Sequence, residues 1–232
     1  MPTQSILIVD DEEVMTQALT VLFQNAGYAT DAVHSGQAAL HYLAARRPDL
    51  MVLDVIMPDM DGYAVCRHVR QHMDYIPILM LTVKDQSWEK VLGLELGADV
   101  YVTKPFVYGE LLAQVKTLLR FATCKQNPAT AERPLTFGAL TLWEQQCRVL
   151  IHDREIKLAP QEFKLLHFLM HHPQQVFGRT TLLHHVWGYE QTEDTRTVDV
   201  HIQRLREKLA PMQIIQTVRG FGYQLVNPQD DR

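Results

Sequence analysis

Three carboxylates, one hydroxyl and one amine stand at the ends of short apolar runs in the first half of the chain. Asp10 and Asp11 follow Ser5-Ile6-Leu7-Ile8-Val9, and Asp54 closes Leu50-Met51-Val52-Leu53. Thr82 closes Pro77-Ile78-Leu79-Met80-Leu81, and Lys104 follows Tyr101-Val102-Thr103. Unbroken apolar runs of this length read as strands buried on both faces, as a parallel sheet requires. Ligands of open α/β sheets bind at the carboxyl ends of strands, so these five side chains are expected on one edge. Alone, Asp54 is a residue that opens a turn, here through Pro58-Asp59-Met60-Asp61-Gly62. Convergence changes its meaning. Three carboxylates repel unless a cation joins them, and an all-oxygen set with open positions suits Mg²⁺, which keeps several waters. Lys104 and the Thr82 hydroxyl offer what phosphoryl oxygens need. The implied chemistry is phosphoryl transfer to Asp54 as nucleophile, with the metal neutralising charge.

The elements that must position these groups alternate. Val14, Ala18, Val21, Leu22 and Asn25 step helically after the first strand and stop at Gly27. A short strand over Ala29 to Val33 leads to a helix from Gln37 to Arg46. A third helix runs from Gly62 to His72, a fourth from Asp85 to Leu96, and a fifth from Val107 to Arg120. Five strands alternating with five helices, joined by right-handed crossovers, make a doubly wound five-stranded parallel α/β sheet. This first domain spans 1–121. Residues 122–133, with Pro128 inside, Pro134 directly after and little periodicity, read as a linker.

From 134 to 232 the pattern is that of an α+β domain. Short alternating strands (135–137, 140–142, 147–150, 155–158) precede a helix opened by Pro160, a short helix from Thr180 to Trp187 and a helix from Thr195 to Leu209. The strands around Gly220 and Gly222 complete a winged helix-turn-helix. In the third helix Val198, Ile202, Leu205 and Leu209 form a packing stripe. Thr197, His201, Arg204 and Lys208 repeat the same steps and are read as an opposite stripe free to meet DNA. A guanidinium pairs bidentately with guanine, which makes Arg204 the expected base reader. Arg196, Arg206 and Lys208 are better placed for phosphates, and Arg219 on the wing for a minor groove.

Charge supports this division. The net charge of −5 is carried by the first half, where residues 1–121 hold 15 acidic and 9 basic residues, whereas 134–232 hold 11 of each. Within 195–220, five basic residues outnumber two acidic ones, as a polyanion partner requires. No segment approaches the roughly 20 apolar residues of a membrane span, and the N-terminus lacks a signal-peptide pattern, so a cytoplasmic location is expected. Three cysteines without paired spacing suggest neither disulfides nor zinc, with Cys124 a candidate thiol. Seven of eleven histidines follow residue 134, too scattered to indicate a pH sensor.

The set Asp10/Asp11, Asp54, Thr82 and Lys104-Pro105 resembles the flavodoxin-like receiver domain of two-component response regulators, from Ser5 to about Phe121. Arg196-Thr197-Val198-Asp199-Val200-His201-Ile202 and Thr217-Val218-Arg219-Gly220-Phe221-Gly222-Tyr223 resemble the winged-helix effector of the OmpR/PhoB family. The resemblance implies a phosphorylation-activated transcriptional regulator that accepts phosphoryl from a sensor histidine kinase on Asp54. It catalyses nothing beyond its own aspartyl phosphorylation and dephosphorylation. Asp11, Asp54 and the Ile56 carbonyl would hold Mg²⁺, with Asp10 acting through water, and Thr82 and Tyr101 would be the switch pair. DNA contacts would come from Arg196, Thr197, His201, Gln203, Arg204, Arg206, Lys208, Thr217 and Arg219. Homodimers formed on phosphorylation would bind tandem half-sites, with RNA polymerase as a further partner. Val100 and Gln114 replace a family Asp–Arg pair at the dimer surface, leaving Lys90 with Glu110 and Glu95 with Lys116 as candidate pairs. A phosphorylation-independent docking module is the alternative. An aspartyl-phosphate phosphatase would want a second acid at the position of Ile56.

Overall fold

The computed structural model describes residues 3–83, 93, 96–124, 133–188 and 195–227. They fall into two compact units, Met1–Ala122 and Thr123–Arg232. The first is built from β1 (Ser5–Val9), α1 (Glu13–Asn25), β2 (Ala29–Val33), α2 (Gly36–Ala45), β3 (Leu50–Asp54), α3 (Gly62–His72), β4 (Ile78–Thr82), β5 (Val100–Thr103) and α4 (Tyr108–Cys124). Its sheet is parallel throughout in the order β2-β1-β3-β4-β5. The order reverses between β1 and β3, which opens a crevice at their carboxyl ends.

Every residue of β3 and β4 is buried, as their uninterrupted apolar runs anticipate. On one face Ile6, Ile8, Leu50, Val52, Leu79 and Leu81 pack with Leu19 and Phe23 of α1 and with Leu111, Val115 and Leu118 of α4. By the two-residue alternation of strands, Leu7, Met51, Leu53 and Met80 belong to the opposite face and are equally buried. Each such side chain contributes about 1.5–3 kcal/mol.

α1 departs from expectation in its orientation. Its buried residues are Thr16, Leu19 and Phe23, whereas Val14 is 80% and Val21 57% exposed. Two apolar stripes compete for the sheet, and the one carrying Leu19 and Phe23 occupies it. The fourth predicted helix, over 85–96, lies outside the described residues apart from Gly93 and Leu96. α4 runs on to Cys124, past both its expected end at Arg120 and the expected start of the linker. Cys124's side chain lies outside the described residues.

One buried charge network was not legible beforehand. Asp99, 2% exposed, accepts hydrogen bonds from Arg70 Nη2 (3.0 Å), Tyr75 Oη (2.6 Å) and the Ile78 N–H (2.9 Å). Arg70 also donates to the Gly97 and Ile76 carbonyls, tying the end of α3 to the approach to β5.

The second unit opens with an antiparallel sheet, β6 (Leu135–Phe137), β7 (Leu140–Trp143), β8 (Arg148–Ile151) and β9 (Arg154–Ile156). Three helical segments follow: α5 (Pro160–His171), α6 (Arg179–Leu182) continued by a π-helical turn over Leu183–Trp187, and α7 (Arg196–Leu209). The hairpin of β10 (Ile215–Val218) and β11 (Gly222–Leu225) forms the wing. Ala159 before α5 has no side-chain oxygen to cap with, but Glu162 still reaches back to the Ala159 N–H at 2.7 Å, so half of a capping box survives. Gly222, at φ +150°, is required by a close approach, since any Cβ there would lie 2.0 Å from the Phe177 carbonyl oxygen. Among the described residues no helix is long and apolar enough to cross a membrane.

Candidate functional site

The register brings the predicted groups together. Asp54 pairs with Leu81 and Thr82 with Thr103, so β3, β4 and β5 end at one level, and Asp10 follows β1 on the same edge. The turn after Asp54 is fixed by its own acids. Asp61 caps α3 through the Ala64 N–H at 2.7 Å, and Asp59 accepts from Gly36 and Gln37 at the start of α2. Gly62 has to be glycine, because a Cβ would lie 2.2 Å from the Asp54 carbonyl oxygen.

Carboxylate oxygens of Asp10, Asp11 and Asp54 all lie within 4.8 Å of one another. Asp10 and Asp54 are 1% and 5% exposed, while Asp11 faces solvent. Lys104 Nζ stands 2.8 Å from Asp10 Oδ2 and 3.1 Å from Asp54 Oδ1. Asp10 Oδ1 is held by the Glu12 N–H at 2.9 Å. Burial, followed by the charge of Asp10, raises the Asp54 carboxyl to about 6 against the opposing pull of Lys104. Burial also works against the charge of Lys104, but its bonds to Asp10 and Asp54 outweigh this and raise its pKa. Three carboxylates therefore share one ammonium in a partly desolvated pocket. That deficit of positive charge, with an all-oxygen donor set, fits a hard divalent cation.

The other receiver-side candidates are placed as follows. Thr82 is fully buried, and its carbonyl accepts the Lys104 N–H at 2.6 Å. Lys104-Pro105 is cis. Tyr101 is 8% exposed, with its hydroxyl 3.3 Å from that of Tyr63 and its ring edge against Gly93. Ile56 lies on the loop two residues past Asp54, its side chain 43% exposed. Glu110 and Lys116 are exposed on α4, whereas Lys90 and Glu95 lie outside the described residues. Val100 is a core residue at 1% exposure.

On α7 the stripe reading needs correction. Val198, Ile202, Leu205 and Leu209 are buried as expected, but so are Thr197 (8%) and His201 (1%). A shift of one position turns a stripe by only about 100°, so Thr197, His201, Arg204 and Lys208 flank the core rather than oppose it. A shift of two positions defines the outward face: Arg196, Val200, Gln203 and Glu207. His201 bonds through Nδ1 to the Thr197 carbonyl (2.9 Å) and meets Trp187 edge-on at 5.0 Å. Burial lowers its pKa to about 4, aided by the charges of Arg204 and Lys208. Lys208 Nζ lies 2.6 Å from Glu162 Oε2, a carboxylate only 2% exposed. Arg206 donates twice to the Ile215 carbonyl and once to Thr217 Oγ1 (2.8 Å). Lys208 and Arg206, expected to meet phosphates, are thus engaged as braces within the domain.

Arg196, Gln203, Thr217 and Arg219 are exposed and Arg204 half-buried, with Phe221 on the wing 72% exposed. A second brace joins α6, α7 and the wing: Asp199 Oδ1 accepts from Arg179 Nε (2.7 Å) and from Tyr223 Oη (2.6 Å). Sequence patterning missed these braces because both partners look like surface residues until the wing folds back.

Comparison with known proteins agrees with this geometry. Residues 6–116 match the response regulator receiver domain, and residues 153–225 match the C-terminal domain of transcriptional regulatory proteins. The alkaline phosphatase synthesis transcriptional regulatory protein SphR of Synechococcus elongatus is 40% identical, over 97% of this chain and 91% of its own. The phosphate regulon transcriptional regulatory protein PhoB of Rhizobium meliloti is 41% identical, over 95% and 97% respectively. The crystal structure of the response regulator DrrB, described as a Thermotoga maritima OmpR/PhoB homologue, superposes with a TM-score of 0.51 at 28% identity, covering 96% of this chain and all of that one. The chain belongs to the OmpR/PhoB family of two-component response regulators and is a phosphorylation-activated DNA-binding regulator of transcription.

Proposed function

We propose that Asp54 is the phosphoacceptor of a sensor histidine kinase and that phosphorylation drives homodimers onto tandem DNA half-sites. The observation that carries this reading is the Lys104 ammonium bridging Asp10 and Asp54 beside a third carboxylate. With a pKa near 6, Asp54 is largely ionised at neutral pH and is available as the attacking oxygen. Its attack forms the O–P bond as the P–N bond of a phosphohistidine breaks. Lys104 then holds a phosphoryl oxygen, and the Thr82 hydroxyl donates to another. Asp10, Asp11, Asp54 and the Ile56 carbonyl would hold Mg²⁺, which when bound neutralises charge on the transferring group. Water attack at phosphorus later breaks the Asp54 O–P bond, releasing phosphate and returning the carboxylate, so the chemistry begins and ends on the protein's own side chain.

The donor protein docks beside the pocket, where Val14 in the first turn of α1 and Val107 and Tyr108 at the start of α4 are exposed at 80%, 61% and 54%. Thr82 and Tyr101 form the switch pair. Lys90 with Glu110 and Glu95 with Lys116 join the two copies, and the dimer recruits RNA polymerase in the cytoplasm. Gln203 and Arg204 face the major groove, Arg196 a flanking phosphate, and Thr217 and Arg219 the adjacent backbone and minor groove.

Acetyl phosphate with Mg²⁺ should label one carboxylate per chain and raise both dimer fraction and DNA affinity. Labelling that leaves both unchanged would favour the docking-module reading instead. For the DNA face, Arg204→Ala should cost about 1–3 kcal/mol on the selected site and relax preference at one base pair, whereas Arg196→Ala should weaken all sequences alike and lower the salt slope by about one. Equal losses on cognate and one-base-variant sites would make Arg204 a phosphate contact.

A further inference from the structure

Five of the effector histidines gather on α5, at its C-terminal cap and in the turn after α6, and one of them, His167, faces a carboxylate. His167 Nε2 lies 3.4 Å from Glu144 Oε2, which comes from the turn between β7 and β8. Two ligands each about 2.0–2.1 Å from a tetrahedral ion stand about 3.4 Å apart, so this spacing is the edge of a zinc coordination shell. His171 follows four residues later on the same helix, its ring centroid 4.3 Å from that of His167. Its Nδ1 is engaged by the His167 carbonyl at 3.0 Å. That bond selects the tautomer whose Nε2 lone pair is free for a metal, the arrangement by which outer partners orient imidazole ligands.

We propose that Glu144, His167 and His171 bind a borderline transition-metal ion of the Zn²⁺ class, clipping the β7–β8 turn to α5. Two imidazoles and one carboxylate select zinc-like ions over Mg²⁺ or Ca²⁺, which prefer oxygen. Cys147 lies in the same turn, but its sulfur is directed at the Glu144 carbonyl at 3.6 Å, so the fourth position is left to water. Among the described residues the aspartate trio of the receiver is the one set whose ligand atoms already lie within 4.8 Å of one another. The Glu144 side chain, 59% exposed, and the exposed His171 ring therefore close onto the ion as it binds. The site is separate from the phosphoacceptor pocket and does not depend on its chemistry.

The test uses the full-length, tag-free chain in excess Mg²⁺, which occupies hard-cation sites. Zn²⁺ uptake is followed by equilibrium dialysis, and Co²⁺ serves as the optical probe. The expected result is one zinc-like ion per chain and the strong visible absorption of tetrahedral Co²⁺. Glu144→Gln and His171→Gln, both at exposed side chains, should each weaken binding by about tenfold or more, since even an outer partner of a ligand is worth about 10–100-fold. The receiver pair His68–His72 repeats the four-residue spacing, with rings stacked at 4.4 Å and no ion-paired carboxylate among the described residues. His72→Gln should therefore leave the signal unchanged. Absence of uptake, full-strength binding by both effector variants, or loss of the signal in His72→Gln would each overturn the assignment.

Discussion

Asp54→Asn is expected to abolish labelling by a phosphodonor and, in the same molecule, to make the receiver more stable at pH 7. The amide keeps the shape of the carboxylate but lacks its charged nucleophilic oxygen. The stability gain follows from linkage. In the folded protein Asp54 titrates near 6, above its ordinary 3.8, so between these values the native state holds a proton that the unfolded chain has released. Stability then falls as pH rises through that window, and above pH 6 the native state carries the full cost of an ionised Asp54. Taken at face value the shift corresponds to about 3 kcal/mol; allowing for solvent screening, about 1–2 kcal/mol is expected. Lys104 keeps its bond to Asp10 in the variant, so little of the gain is returned. Urea unfolding at pH 7 should show Asp54→Asn to be the more stable protein, with the difference vanishing near pH 4. A variant that still labels, or one less stable than the parent at pH 7, would remove Asp54 from its place in this account.

Lys208→Ala is expected to unfold the effector domain more easily before it alters DNA binding. The Glu162 carboxylate is 2% exposed and has two partners, the Lys208 ammonium and the Ala159 N–H. Removing one partner of a buried pair costs about 3–5 kcal/mol; here the Lys208 side chain is 39% exposed, and water access brings the expectation to about 2–3 kcal/mol. The double variant Lys208→Met with Glu162→Gln keeps packing and removes the orphaned charge, so it should recover most of the loss. His201 reports on the same cluster. Lys208 is one of the charges holding its pKa down, and the single variant should therefore let that pKa rise. Thermal unfolding of the effector transition, read beside the salt dependence of DNA binding, decides the matter. Native-like unfolding with a salt slope lower by about one unit would instead make Lys208 the phosphate contact that its sequence position suggests.

The pocket was legible in the sequence because each of its residues ends an apolar run, and a parallel sheet aligns such ends without further information. Faces of helices were less legible. In α1, Val14-Ala18-Val21 and Thr16-Leu19-Phe23 both satisfy helical spacing, and only the shape of the sheet chooses between them. In α7, spacing identified the core stripe but not the angle to its neighbour, so buried His201 was taken for an exposed reader. The Asp99 network and the Arg206 brace were invisible for another reason. Each joins residues of different elements through several hydrogen bonds, and no local pattern marks an Arg that will donate inward to a carbonyl.

Arg206 and Asp199 fasten both strands of the wing to α7, through Ile215 and Thr217 on β10 and Tyr223 on β11, so helix and wing act as a caliper of fixed opening rather than two independent fingers. A caliper measures phase. If Gln203 and Arg204 read one groove and Arg219 enters the next, as proposed, one base pair inserted between them would rotate the second target by about 35°, given 10–10.5 base pairs per turn. On the proposed reading, spacing inside a half-site is expected to be part of the message, alongside the bases themselves.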